Sequence, residues 1–238
     1  MAVELDDIKE VRELLAGAHC VLFDFDGPIC RLFPKGSSLD VADELRKLVD
    51  KAGLDDVLTE QERADKDPHV VLRAVNQARM ELDLDLGDLV KVLEERVTEG
   101  ELDAVQDAWS TPRAGELIQR LREQGRRLAV VTNNSAKAAD SYLKSQGLAE
   151  YFASIHGRGT DPALMKPNSD VVTRALRSLK ARPEDAVMIG DTPTDVEAAQ
   201  RAGVRFIGYG RNARKESGLR EAGATLVLAS YDPVLDEV

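Results

Sequence analysis

Residues 20–27 read Cys-Val-Leu-Phe-Asp-Phe-Asp-Gly. The apolar run through Phe25 predicts a short buried strand, with Asp24 and Asp26 at its carboxyl end. In an extended segment residues i and i+2 point the same way, so these two carboxylates can face one ligand. Alone, the pair reads as two solvated loop residues. Its meaning depends on what the rest of the chain brings beside it.

Outward from this run the pattern is regular on one side only. An amphipathic helix at about residues 6–16 precedes the strand, and from residue 111 helices alternate with short β-branched runs. Strands are expected over 127–132, 153–156, 186–190, 204–208 and 225–228. Helices are expected from Ala114 to Gly125, from a cap at Ser135 to Gly147, over 167–180, from Thr192-Pro193 to Gly203, and to a stop near Gly223. Such alternation predicts an α/β fold, a Rossmann-like parallel sheet core with helices on both faces. Between the first strand and residue 111 the spacing of Leu, Val and Ala is helical, over 39–52, 59–65, 68–82 and 86–100, with no convincing strand. The core is thus interrupted after its first strand by a helical insert.

In open α/β sheets ligands bind at the carboxyl ends of the strands. Those ends carry Asp24 and Asp26, then Thr132-Asn133-Asn134, then Asp191 and Asp195, and Lys166 precedes the helix before the last of them. Carboxylates, a hydroxyl and a lysine on one rim suit Mg²⁺ and a phosphate: the hard cation takes oxygen ligands, and Lys and Thr hold the anion. Two aspartates also suit covalent phosphoryl transfer. One attacks phosphorus, while the other protonates the leaving oxygen and later deprotonates water.

These clusters resemble, in order, the four motifs of the haloacid dehalogenase-like superfamily, most nearly its phosphoglycolate phosphatase-type branch. The likeness covers about residues 18–30 and 111–230. It implies that Asp24 is the nucleophile, Asp26 the general acid/base, and Thr132 and Lys166 the holders of the phosphoryl group, with Asn133 beside them. Asp24, the main-chain carbonyl of Asp26, and Asp191 would ligate Mg²⁺, with Asp195 in or just outside that shell. One departure is Pro28, where the family usually has Thr or Val; proline removes that N–H as a phosphate donor. The long gap between Asp24 and Thr132 places the insert after the first motif, where the family resemblance implies a C1-type helical cap. The expected division is a core of residues 1–30 and 109–238 and a cap of 31–108.

Composition narrows the partners. Across 238 residues, 32 Lys and Arg face 43 Asp and Glu, a formal charge of −11. This balance argues against nucleic acid and against an anionic membrane surface, so the expected partner is a small phosphorylated metabolite. Residues 31–107 hold 11 Lys and Arg against 20 Asp and Glu, so most of the excess lies in the insert. No apolar run approaches a membrane span, and the acidic N-terminus lacks the cationic start of a signal peptide. Cys20 and Cys30 read as reduced thiols, which fits a cytoplasmic protein; a monomer or a homodimer is expected, with the sequence leaving the choice open. His19, His69 and His156 read as structural, Arg120 to Arg127 as a solvated basic face, Arg31 as a hinge or substrate residue, and Trp109 as junction packing. The implied activity is hydrolysis of a phosphate monoester through an aspartyl-phosphate. A sugar phosphomutase with the same nucleophile is the alternative, and a phosphate-holding signalling module is the remoter one.

Overall fold

The computed structural model describes residues 5–36, 38–83, 86 and 88–236. The acidic start over 1–4, and part of the opening turn expected for the helix over 86–100, lie outside these residues. The strands are β1 Cys20–Phe23, β2 Cys30–Arg31, β3 Trp109–Ser110, β4 Arg127–Val131, β5 Phe152–His156, β6 Ala186–Gly190, β7 Arg205–Tyr209 and β8 Val227–Leu228. The helices are α1 Leu5–Gly17, α2 Ser38–Lys51, α3 Glu60–Ala64, α4 Pro68–Glu81, α5 Leu89–Ala104, α6 Ala114–Glu123, α7 Ala136–Ser145, α8 Asp170–Leu179, α9 Pro193–Ala202, α10 Ala213–Glu221 and α11 Asp232–Leu235. None of them is long and apolar enough to cross a membrane.

Six strands form one sheet in the order β5-β4-β1-β6-β7-β8, and every pairing is parallel. The two-residue period of β1 explains why both faces must be covered. Val21 and Phe23 join one apolar cluster with Val11, Ile118, Tyr142 and Tyr231, from α1, α6, α7 and the start of α11. Cys20 and Leu22 join the other, with Val172 and Ala175 of α8 and Ala198 of α9. Full burial of such side chains contributes about 1.5–3 kcal/mol each. Register then aligns the chemistry: Phe23 lies between Val130 and Ile189, so the residues that follow emerge on one rim.

Around a cluster of their own, α2, α4 and α5 bury Val41, Leu45 and Val49 against Leu72, Val75, Leu93 and Val97. α2 and α5 approach so closely at Gly100 that a Cβ there would lie 2.5 Å from Val41 Cγ2. Met165, from the loop before α8, packs into the same cluster.

Several expectations shift. No strand was expected between the first one and residue 111, yet β2 and β3 pair antiparallel, Cys30 with Ser110 and Arg31 with Trp109. Strands of two residues are too short to leave a periodic signal. The Arg31 guanidinium lies 5.1 Å from the centroid of the half-exposed Trp109 ring. The helix expected from residue 167 begins at Asp170, and the last strand is shortened to Val227–Leu228. The basic run is not a plain solvated face. Arg120 donates to Leu235 O, Arg126 to Ala16 O and Arg127 to Leu179 O. Each acceptor lies in the last turn of a helix, where carbonyls lack partners and the dipole favours cations. Both cysteines are buried and unpaired.

Candidate active site

Four loops bring the site together at the rim. Asp24 continues β1, its N–H donating to Ile189 O at 2.8 Å. Lys166 Nζ is buried and donates to Asp24 Oδ1 at 2.8 Å, Asp195 Oδ1 at 2.5 Å and Val131 O at 3.0 Å, so all three of its protons are placed. Burial opposes the ammonium charge, but Asp195 and Asp24 outweigh it and hold the lysine above its ordinary range. Burial lifts Asp24 to about 7, with Lys166 pulling down and Asp195 and Asp191 pushing up.

Asp195 opens α9, and its carboxylate is fully engaged. Oδ2 accepts from Thr192 N at 3.0 Å, Thr192 Oγ1 at 2.6 Å and Asp191 N at 3.2 Å, while Oδ1 accepts from Lys166. Asp191 differs. Its Oδ2 is 2.7 Å from Lys215 Nζ, and its Oδ1 is buried without a hydrogen-bond partner. Burial raises Asp191 to about 6, against the pull of Lys215. Gly27 makes room for this carboxylate: at φ +120°, a Cβ would stand 2.3 Å from Asp191 Cγ.

Among the described residues, Asp24, Asp191 and Asp195 offer carboxylate oxygens within 4.8 Å of one another. All-oxygen donors, buried and including one orphaned atom, fit a hard divalent cation. Since donors already occupy both oxygens of Asp195, Asp24 and Asp191 are the freer ligands.

Asp26 stands apart from that cluster. Its Oδ1 accepts from Leu32 N at 2.9 Å, and burial raises its carboxyl group, Leu32 lowering it and Asp24 raising it. Thr132 follows β4, with Oγ1 donating to Asn134 Oδ1 at 3.0 Å and accepting from Asn134 N at 3.1 Å. Asn133 pairs with the main chain of Lys166, through Oδ1 at 2.8 Å and Nδ2 at 3.1 Å, so its amide steers Lys166. Pro28 offers its carbonyl to Tyr231 Oη at 2.9 Å.

A haloacid dehalogenase-like hydrolase profile matches residues 18–203, most of the chain. The protein belongs to that family. Its likeness falls on the phosphoglycolate phosphatase-type branch of the haloacid dehalogenase-like hydrolases. A phosphoglycolate phosphatase of Rhodobacter capsulatus is 40% identical over 41% of this chain and 43% of its own. The pyrophosphatase PpaX of Halalkalibacterium halodurans is 34% identical over 52% and 57%. The chain thus spans about half the length of the curated relatives it matches. CbbY from Rhodobacter sphaeroides, solved in complex with phosphate, shares the fold with a TM-score of 0.64, at 24% identity over 90% of this chain and 95% of that one.

Some residues at this haloacid dehalogenase-like site carried no sequence signal. Lys215 sits in a basic stretch of a surface helix with no motif around it. Glu101 and Arg158 also escaped notice, and His69, read as structural, joins them in one buried network. Glu101 is buried between α5 and the Thr132 loop, bonded to His69, Asn134, Ser135 and Arg158. Only their separation in sequence hides them.

Proposed function

We propose that the protein is a Mg²⁺-dependent phosphatase that hydrolyses a small organic phosphate monoester through an aspartyl-phosphate on Asp24. The observation that carries the reading is the buried Asp24–Lys166–Asp195 chain beside the orphaned oxygen of Asp191. Asp24 attacks phosphorus in line with the departing oxygen. The phosphorus–oxygen ester bond breaks, and Asp26 delivers a proton to the leaving alcohol. Its raised affinity for protons suits that task. Water then loses a proton to Asp26 and attacks the aspartyl-phosphate, releasing phosphate and freeing Asp24.

Thr132 and Lys166 bind the phosphoryl oxygens in this scheme, each giving up one donor bond within the protein to do so, and Asn133 fixes Lys166. Asp24, the Asp26 carbonyl and Asp191 would hold Mg²⁺, which would supply positive charge against the phosphoryl group. Asp195 acts on the site by holding Lys166 and the 191–192 main chain. Residues 31–108 serve as the cap that excludes water and contacts the substrate, over a core of 1–30 and 109–238. The relatives' names, a phosphoglycolate phosphatase and a pyrophosphatase, support a small phosphate as substrate.

A phosphate-release screen over a metabolite panel, phosphoglycolate and pyrophosphate included, tests this. Turnover is expected with Mg²⁺, and none with EDTA or in Asp24→Asn. Metal-free turnover by Asp24→Asn overturns the reading, and isomerisation of a sugar phosphate without phosphate release assigns a phosphomutase instead.

A further inference from the structure

Glu101 lies near the end of α5, in the helical insert, yet its carboxylate is wholly buried against the loop after β4. Four donors converge on it. Oε1 accepts from Arg158 Nη1 at 2.8 Å, His69 Nε2 at 3.0 Å and Asn134 Nδ2 at 3.1 Å, and Oε2 accepts from Ser135 N at 2.7 Å. With donors on both oxygens, only a carboxylate satisfies the position; an amide would set an N–H against another N–H.

The bond to Asn134 has a direction. With Nδ2 turned to Glu101, Asn134 presents Oδ1 to the Thr132 hydroxyl. Glu101 therefore sets the residue that locates Thr132 Oγ1, which Asn134 holds through both its main-chain N–H and its side chain. Arg158, itself buried, ties the same loop from the other side: its main-chain N–H donates to Asn134 O and its Nη1 to Asn133 O, both at 3.0 Å. Asn133 in turn grips the main chain of Lys166. One chain of hydrogen bonds thus runs from α4 and α5 to both groups assigned to the phosphoryl oxygens.

We propose that Glu101 is a positioning residue for the phosphate-binding loop, through which docking of the helical insert and binding of phosphate reinforce each other. The proposal rests on the reading of Thr132 and Lys166 given above. By linkage, whatever docks the insert strengthens phosphate binding, and phosphate holds the insert down to the same degree.

The test measures the affinity of inorganic phosphate, with Mg²⁺ present, by calorimetry. Turnover and amide hydrogen exchange are followed in parallel. Glu101→Gln is expected to weaken phosphate binding about tenfold, the size usual for an outer partner of a binding group, and to lower kcat. Asn134→Ala should match it, and the double variant should be no worse than either single one, because both cut the same chain. In the wild type, phosphate should slow exchange in α5 as well as at 134–136; in Glu101→Gln the effect on α5 should vanish. Lys91→Ala, exposed on α5, should leave all of this unchanged. A folded Glu101→Gln with wild-type phosphate affinity overturns the proposal. Should that variant not fold, Asn134→Ala with wild-type affinity does the same. A wild-type protein that binds no phosphate overturns the reading of the site itself.

Discussion

Raising the pH should unfasten His69 from its two carboxylates. Its Nδ1 lies 3.1 Å from Asp67 and its Nε2 3.0 Å from Glu101, and only the imidazolium donates from both nitrogens. Burial works against the charge, but Asp67 and Glu101 carry the histidine from 6.5 to about 9. Arg158 and Arg73 face the same cluster and offset part of its negative charge. One unit corresponds to about 1.4 kcal/mol, so the rise contributes on the order of 3 kcal/mol to stability. Because the folded value is the higher one, that stability is complete below about pH 6.5 and fades as the pH climbs through 9. Asp67 and Glu101, both lowered to about 2, behave in the opposite sense: their contribution holds above the ordinary carboxylate range and is lost as the pH falls toward 2. Urea unfolding of wild type and His69→Gln at about pH 6.5, 8 and 9.5 reads the difference. The gap should be of order 3 kcal/mol at the lowest pH, or roughly 2–4 °C of Tm per kcal/mol, and should close by the highest. A gap that stays constant across the range refutes the reasoning.

Two further substitutions probe other parts of the molecule. If Mg²⁺ binds as proposed, it should raise the Tm of the wild type; Gly27→Ala should displace the Asp191 carboxylate, abolishing turnover and that rise while leaving the circular dichroism of the sheet intact, and full turnover would show that the loop gives way freely. Leu93→Ala, wholly buried in the insert, should cost about 2–5 kcal/mol in urea unfolding. A cost under about 1 kcal/mol would mean that this cluster is not tightly packed.

The core was legible because its two central strands, Cys20–Phe23 and Ala186–Gly190, are apolar runs with punctuation at each end. Cys20 to Phe23 needed only its composition, and the polar groups at successive strand ends share a rim because parallel register carries Asp24, Thr132 and Asp191 there together. The place of the insert followed from the gap between Asp24 and Thr132. What stayed hidden depends on which residues meet. β2 and β3 hold two residues each, so their pairing belongs to the junction, not to either segment. Arg126 and Arg127 read as solvated because a charge pattern does not say which carbonyl a guanidinium will reach. Glu101 looked like one acid among many in an acidic insert. Its meaning arises from Arg158, 57 positions away in the chain.

The pairing of Cys30 with Ser110 and of Arg31 with Trp109 also bears on how this chain can change over time. The segment between them leaves and re-enters the sheet domain side by side, so to the core it is a single long loop whose ends already touch. Closing such a loop costs only about 0.6 kcal/mol more for each doubling of its length. Helices added, lost or exchanged between those two ribbons leave the register of the parallel strands untouched. Such helices can therefore be exchanged while the aspartates and the lysine stay in place, provided that the new insert meets the loop after β4 as Glu101 does and the loop before α8 as the Met165 cluster does.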